Sequence, residues 1–310
     1  MKRLLVLSLA LLTLAGCGAD ATAASDTGVN TSAEQNRVTT TRNDAAAALL
    51  PAKVRDRGTL VVGAGFGSGS VPLGFYADDN KTPIGLEVDI AYLVAQALGL
   101  QPKIEVTSWE NLFVGLDSAK YDVGFSNITV TEKRKQKYDF ATYRKDDIAF
   151  EAKKGGTWRV TGAKDIAGKT IAVGSGTNQE KILVDWNEAN VKAGLPAATI
   201  KYFQKNTDTY LALSSGRIDG YLGPNPSIAY HVKTSGETET IGKFSGAGPT
   251  LQGLIAATTK KDSGLVKAYQ TAIDGVIADG SYAKVLDRWN VSTEAVAKSE
   301  INPPGLPLTS

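Results

Sequence analysis

The 310 residues of this chain are enough for two domains of ordinary size, each with a buried core. The 34 Lys and Arg side chains nearly balance the 32 Asp and Glu side chains, which excludes the strongly basic surface typical of nucleic-acid-binding proteins. Cys17 is the only cysteine, so an internal disulfide is excluded and the core alone must stabilise the fold.

The N-terminus has the composition of an export signal. Lys2 and Arg3 precede an apolar run at residues 4–14, which is too short to span a bilayer. The run ends in Leu-Ala-Gly-Cys at residues 14–17, which resembles the lipobox of bacterial lipoproteins. We therefore expect residues 1–16 to be a lipoprotein signal peptide. Lipidation of Cys17 would anchor the protein to the membrane, on the extracytoplasmic face of the cell envelope. The alternative is an ordinary secretory signal with an incidental cysteine.

The next segment, residues 17–50, is rich in Ala, Thr, Ser, Asp and Asn and has few large apolar side chains. Such a composition buries too little surface to offset the entropy lost on ordering. We predict a flexible tether.

Strand and helix signals then alternate. Apolar strand patterns lie at residues 60–62, 104–106 and 123–125. A helix between the first two is indicated by apolar residues at helical spacing, followed by Gly99 as a stop signal: Ile90, Leu93, Val94, Ala97 and Leu98. Ser108 is the expected N-cap of a second helix. This βαβαβ order predicts an α/β fold with a parallel sheet covered by helices.

A second series follows with the same alternation. Strands are predicted at residues 170–173, 200–203 and 218–222, and helices at 178–191 and 207–214. Two more helices are predicted at residues 264–278 and 281–289. The Pro-rich end, residues 301–310, is predicted to be a loose tail.

The segment after the strand at 123–125 has the donors that a carboxylate requires. Ser126, Asn127, Thr129 and Arg134 follow one another closely, and Thr131 is placed to cap a short helix. A guanidinium presents paired donors in one plane, which match two carboxylate oxygens. The alternative is that Arg134 belongs to a solvated cationic run with Lys133, Lys135 and Lys137.

A second candidate site follows the strand at 170–173. Small residues at 174–176 allow close backbone approach to a ligand, and Thr177 and Asn178 begin the next helix. In open α/β sheets, ligands lie beyond the carboxyl ends of strands, where helix N-termini point. Thr177 and Asn178 would either contact a ligand or only cap the helix.

Six segments in a fixed order resemble the solute-binding proteins of bacterial ABC transporters for polar amino acids. They are TLVVGAG at 59–65, PIGLEVDIAYLVAQALGL at 83–100, SWENLFVGLDSAKYDVGFSNITVTEKRKQKYDF at 108–140, DIAGKTIAVGSGTNQE at 165–180, SSGRIDGYL at 214–222 and DGSYAKVLDRW at 279–289. The resemblance implies a two-lobed type II periplasmic-binding-protein fold. Each lobe would be a mostly parallel sheet flanked by helices. Lobe 1 would comprise residues 51–145 and 249–300, and lobe 2 residues 146–248. Hinge crossings would lie near residues 144–148 and 248–253.

The same resemblance implies a monomeric binding protein, without a cofactor, metal or enzymatic activity. Its partners would be a small carboxylate-bearing ligand and an ABC permease and ATPase complex. By position in the family motifs, Arg134 would anchor the carboxylate, Trp109 would stack on the ligand and Asn178 would contact it. Ser126 and Asn127 would contribute main-chain groups.

One departure from the family pattern concerns the ligand's ammonium group. Relatives hold it with acids at two places, which here fall at Gly65 or Phe66 and at Pro224, beside Asn225. Since a buried ammonium without a carboxylate partner is costly, we expect binding to depend more on the carboxylate than on the amine. Asn225 and main-chain carbonyls would then hold any amine, and Phe66 would widen an apolar wall.

The residues do not support a phosphate loop or a histidine-based site, but two other functions remain as alternatives. Gly168-Lys169-Thr170 precedes its strand and the glycines at 63–69 alternate strictly, so neither forms a phosphate loop. The single histidine, His231, has no clustered partners for zinc or a catalytic triad. A dehydratase of prephenate or arogenate type shares the implied fold but needs a general acid in the cleft. A ligand-sensing subunit of a signalling system is a third possibility.

Overall fold

A computed structural model describes residues 28–66, 70–203 and 205–308. The predicted signal peptide at 1–16 and the predicted lipidation site Cys17 lie outside these ranges. Over the described ranges, no helix combines the length and the apolar character needed to cross a membrane.

The described residues form helices and strands in alternation. The α-helices are α1 (Asp44–Ala48), α2 (Ala52–Arg57), α3 (Leu86–Ala97), α4 (Trp109–Asp117), α5 (Asn178–Lys192), α6 (Asn206–Ser214), α7 (Asn225–Ser235), α8 (Val266–Ala278) and α9 (Ser281–Arg288). Short 3-10 helices lie at Arg134–Gln136, Ala163–Ile166 and Ser292–Glu294. The strands are β1 (Thr59–Gly65), β2 (Phe75–Tyr76), β3 (Pro83–Ile84), β4 (Gln101–Thr107), β5 (Val123–Gly124), β6 (Tyr138–Lys153), β7 (Thr170–Val173), β8 (Thr199–Lys201), β9 (Gly220–Pro224), β10 (Thr238–Ser245) and β11 (Gly253–Lys260).

The main sheet runs in the order β4-β1-β5-β11-β6-β9-β7-β8, and β10 pairs with β6. Strand β1 is parallel to β4 and β5, and β7 is parallel to β8 and β9. The predicted parallel βαβ units and the α/β class are therefore confirmed. Below, the first half of the sheet means β1, β4, β5 and β11 with their helices, and the second half means β7, β8, β9 and β10 with theirs.

The long strand β6 connects the two halves. It pairs with β11 as far as Asp146 and with β10 from Asp147 onward. Its apolar pattern is interrupted by a charged run at residues 144–147, so the sequence alone does not indicate one continuous strand. Arg144 and Asp146 are nevertheless buried.

Helix α3 shows how the sequence specifies a core-facing element. The predicted apolar face is buried, and Gly99 follows the helix with a positive φ of 70°. Only glycine adopts this backbone conformation without steric cost, so it is a common helix terminator. In the second half, a separate apolar cluster centres on Phe150, Ile171, Leu183 and Leu222.

The described part of the predicted tether, residues 28–50, packs against the first half instead. Val29 and Leu50 are buried, and the small Ala46 and Ala47 of α1 fit against α3 and α8. Each fully buried Val or Leu contributes roughly 1.5–3 kcal/mol. The Arg37 Nε lies 3.0 Å from the buried Asp89 Oδ1, which adds a charged contact. These four buried apolar side chains offset the polar composition that predicted a tether.

The described part of the predicted tail, residues 301–308, is also packed. Leu306 is buried and pairs with the chain at Val130, from whose carbonyl oxygen its N–H lies 3.2 Å away. A side chain on Gly305 would meet the Val130 carbonyl oxygen at 2.4 Å, so the close approach requires glycine. Burial of Leu306 fixes this segment in place, although its Pro-rich composition predicted a loose tail.

Candidate ligand-binding site

A cavity of about 220 Å³ lies where the carboxyl ends of β1, β5, β7 and β9 face the N-termini of α3, α4, α5 and α7. Both halves of the sheet contribute to its walls. The predicted ligand-binding residues that line it share a position just after a strand or at the start of a helix: Phe66, Trp109, Ser126, Asn127, Thr177 and Asn178. The other three, Thr129, Arg134 and Asn225, are not among the lining residues.

Arg134 is half-buried beside the cavity and spans the two halves. Its Nη1 donates to the Thr129 carbonyl at 2.9 Å, and its Nη2 donates to the Gly176 carbonyl at 3.2 Å. The guanidinium also lies 5.2 Å from the Trp109 ring centroid. Burial lowers the pKa of Arg134 to about 10, although Asp146 opposes this shift, so the group stays charged at neutral pH. Arg134 is therefore not part of a solvated cationic run.

The short turn that follows Thr131 orients Arg134. The Arg134 N–H donates to the Thr131 hydroxyl at 3.1 Å in the manner of a helix cap, but the 3-10 helix Arg134–Gln136 has Lys133, and not the predicted Thr131, at its N-cap position. Capping of this kind satisfies a backbone N–H that the helix leaves free.

Asp146 connects the two halves through its Oδ2 atom. This oxygen accepts from the Thr129 hydroxyl at 2.8 Å and from the Asn178 Nδ2 at 2.9 Å. Asn178 also donates to the Gly246 carbonyl at 2.8 Å. Burial raises the pKa of Asp146, while the Thr129 and Asn178 donors and Arg144 oppose the shift. Thr129 therefore hydrogen-bonds to Asp146 on strand β6 and does not line the cavity.

Arg144 forms a buried ion cluster beneath the cavity that no local pattern in the sequence indicates. It contacts Glu294 and the Asn127 Oδ1, and its Nη2 lies 3.2 Å from the Glu87 Oε1. Burial alone lowers the pKa of Arg144, but Glu294 and Glu87 outweigh this and raise it. The Tyr143 hydroxyl donates to the other Glu87 oxygen. The cluster holds Asn127, a cavity residue, in a left-handed conformation with φ 51°.

Aromatic side chains form much of the cavity wall. Trp109 packs edge-on against Phe113 with ring centroids 5.0 Å apart, which keeps the indole at the wall. Phe66 lines the first half, as predicted, while Tyr202 and Tyr221 line the second half. Apolar walls with a few polar groups are typical of small-molecule sites.

The helix starts of the second half contribute polar groups. The Thr177 hydroxyl accepts from the Glu180 N–H at 3.1 Å and donates to the Gly174 carbonyl at 2.7 Å, so it caps α5 while also lining the cavity. Asn225 is turned away, because its Nδ2 donates to the Glu294 Oε1 at 3.0 Å. The acids that line the cavity are Glu87, which is already paired, and Glu110, which is exposed at the first turn of α4.

Comparison with known proteins identifies relatives over most of the chain. Residues 62–292 match the sequence profile of the bacterial extracellular solute-binding proteins, family 3. The L-cystine-binding protein TcyJ of Escherichia coli strain K12 is 32% identical over 239 residues, which cover 76% of this chain and 84% of TcyJ. The L-cystine-binding protein TcyA of Bacillus subtilis strain 168 is 25% identical over 242 residues, covering 77% and 84% of the two chains.

A solved structure agrees with these sequence matches. An ancestral arginine-binding protein bound to arginine superposes with a TM-score of 0.65 at 26% identity, covering 75% of this chain and 98% of that one. All three relatives are named as binding proteins and not as enzymes.

Proposed function

The chain belongs to family 3 of the bacterial extracellular solute-binding proteins, and we propose that it captures an amino acid for an ABC importer. The observation that carries this proposal is the cavity, whose walls come from helix starts in both halves of the sheet. The named relatives bind L-cystine and arginine, which supports an amino acid as the ligand.

In this proposal the two halves are lobes that close around the ligand. Lobe 1 comprises residues 51–145 and 249–300, and lobe 2 residues 146–248. The change of partner along β6 between Asp146 and Asp147 supports a crossing there, and Gly253 pairs with Asp146 beside it. A ligand that touches both lobes stabilises the closed state only, which would present both lobes to the permease.

Trp109 and Phe66 would provide the apolar contacts to the ligand in the first lobe, and the main chain at Ser126 and Asn127 would provide hydrogen bonds. Thr177 and Asn178 would contribute from the second lobe. Arg134 remains the proposed carboxylate anchor, since it has N–H groups beyond the two that contact the Thr129 and Gly176 carbonyls. Ligand binding would replace the Gly176 contact with a charged one.

The location of the protein follows from the same proposal. A lipid on Cys17 would hold the protein at the extracytoplasmic face of the membrane, as a monomer beside its permease and ATPase. Residues 28–50 pack against the first half, so the chain at residues 18–27 would join the lipid to the domain.

A thermal-shift screen tests the function. The panel contains the standard L-amino acids with L-cystine, and a separate incubation with prephenate, assayed for product, tests for turnover by the dehydratase alternative. A ligand at 100 times its dissociation constant stabilises the folded state by about 2.7 kcal/mol, which raises the melting temperature measurably. Calorimetry on each hit gives the affinity. The proposal is overturned if no amino acid raises the melting temperature.

A further inference from the structure

The C-terminal segment, residues 301–308, is hydrogen-bonded to the turn that carries Arg134. The Leu306 N–H donates to the Val130 carbonyl at 3.2 Å, and the Leu306 carbonyl accepts from the Glu132 N–H at 3.0 Å. These two bonds hold the chain of the first half just before Arg134. The position of the proposed carboxylate anchor therefore depends on the C-terminal segment.

Side chains of the turn strengthen this attachment. The Glu132 Oε1 accepts from the Gly305 N–H at 2.9 Å, and the Lys135 Nζ donates to the Pro303 carbonyl at 3.1 Å. Lys135 and Glu132 also pair with each other, with the Lys135 Nζ 2.8 Å from the Glu132 Oε1. Hydrogen bonds to charged groups are stronger than bonds between neutral groups. The segment and the Arg134 turn thus form one unit on the first half of the sheet.

The Leu306 side chain packs with the second half. It is buried in the apolar cluster of that half, and the other members of this cluster in the described ranges come from residues 148–247. Ala247 is one of them, and a Cβ atom added to Gly248 would lie 3.9 Å from the Leu306 Cδ1. Leu306 is therefore bound to the first half by its main chain and to the second half by its side chain.

The Arg134 turn reaches the second half at two places. One is the Arg134 Nη2, which donates to the Gly176 carbonyl at 3.2 Å, and the other is Leu306, through the bonds to Glu132. Separation of the halves would break the first contact and expose the leucine to water. Exposure of a buried leucine is unfavourable, so the segment opposes separation.

We propose that residues 301–308 are a strap that positions the Arg134 turn and favours the closed arrangement of the two halves. Its role rests on the proposed function, because it takes the halves to be lobes that close around a ligand. Leu306 is then a positioning residue and does not line the cavity. Stabilisation of the closed state raises the affinity, because less of the binding free energy is used to close the protein. The strap lies beyond residues 62–292, which match the family profile.

A distance measurement on the ligand-free protein tests the strap. Cys17 is the only cysteine, so Cys17→Ala combined with Val114→Cys and Val191→Cys provides two labelling sites. Val114 on α4 and Val191 on α5 are exposed and lie in opposite halves. Pulsed electron paramagnetic resonance between spin labels at these sites should show longer distances when Leu306→Ala is added, because the halves separate more often. An unchanged distance distribution would overturn the inference.

Matched leucine variants separate the strap from a general loss of stability. Leu265→Ala removes a buried leucine from the core of the first half, so it should lower the melting temperature but leave the distances unchanged. Leu306→Met keeps the apolar volume and should retain the wild-type distances. Leu308→Ala, at an exposed position in the same segment, should change neither property. Equal lengthening in the Leu265→Ala and Leu306→Ala proteins would overturn the inference.

Calorimetry connects the strap to binding. The probe is the amino acid that gives the largest thermal shift among the standard L-amino acids and L-cystine. Leu306→Ala should weaken its binding about tenfold, whereas Leu265→Ala should not. If an amino acid binds but Leu306→Ala keeps wild-type affinity, the strap is wrong and the function stands. If no amino acid binds, the proposed function is wrong, and the ligand-free distances alone decide whether the strap holds the halves together.

Discussion

The Arg134 Nη2 donates a hydrogen bond across the sheet's two halves to the Gly176 carbonyl oxygen, 3.2 Å away. Arg134 follows β5 and Gly176 precedes α5, so this contact joins the two segments that the sequence singled out as candidate sites. The Trp109 ring lies against both residues. A side chain that hydrogen-bonds to both halves beside the cavity is well placed to contact a ligand bound between them.

Loss of the Arg134 guanidinium should weaken ligand binding. Arg134→Ala should cost about 2–5 kcal/mol of binding free energy, because a charged donor to the carboxylate is removed. Arg134→Lys should also weaken binding, because it keeps the charge but loses the paired donors. Calorimetry with the best ligand of the screen measures both. Lys133→Ala, at the exposed neighbouring position, is the control. Wild-type affinity in both Arg134 variants would remove Arg134 from the site.

The buried ion cluster around Arg144 should contribute strongly to the free energy of unfolding. Arg144→Met leaves Glu87 and Glu294 buried without their cation, which should lower the free energy of unfolding by about 3–5 kcal/mol. Urea denaturation measures the loss. Arg159→Met removes an exposed arginine that pairs with Glu239, and it should cost less than about 1 kcal/mol. Similar losses in the two variants would contradict this account of the cluster.

The stability of the protein should depend on pH through Asp146. Burial raises the pKa of this carboxyl above its ordinary value of 3.8, so the folded state holds the proton more tightly than the unfolded state. The resulting stabilisation is complete below pH 3.8 and is lost as the pH rises through the folded-state pKa. Relative to Asp146→Asn, the wild-type free energy of unfolding should therefore fall as the pH increases from about 4 to 7. A constant difference between the two proteins over this range would show that the pKa is not raised.

The proposed lipid anchor is tested at Cys17. Cys17→Ala removes the thiol that a lipid would modify, so the protein should move from the membrane fraction to the soluble fraction after cell fractionation. Ser25→Ala, in the same N-terminal segment, is the control and should leave the protein with the membranes. A Cys17→Ala protein that remains membrane-bound would place the anchor elsewhere.

Local signals in the sequence determined the parallel sheet units and the helix boundaries. The apolar period of α3 with Gly99 at its end, Ser108 as the cap of α4 and Thr177 as the cap of α5 are all present in the structure. Each of these signals acts within a few residues along the chain, because helix periodicity and capping depend on neighbours one turn away. Because these signals act over so short a range, they can be identified from the sequence alone.

Only the tertiary structure decided which side chains meet. Arg144 pairs with Glu87 and Glu294, which are 57 and 150 residues away in sequence. The same cluster draws Asn225 from the predicted site toward Glu294, and packing on α3 and α8 orders residues 28–50, the described part of the segment predicted to be a tether. These outcomes depend on burial, which excludes water and so requires every charge to find a partner. The sequence shows which residues are charged, but the tertiary structure determines which of them pair.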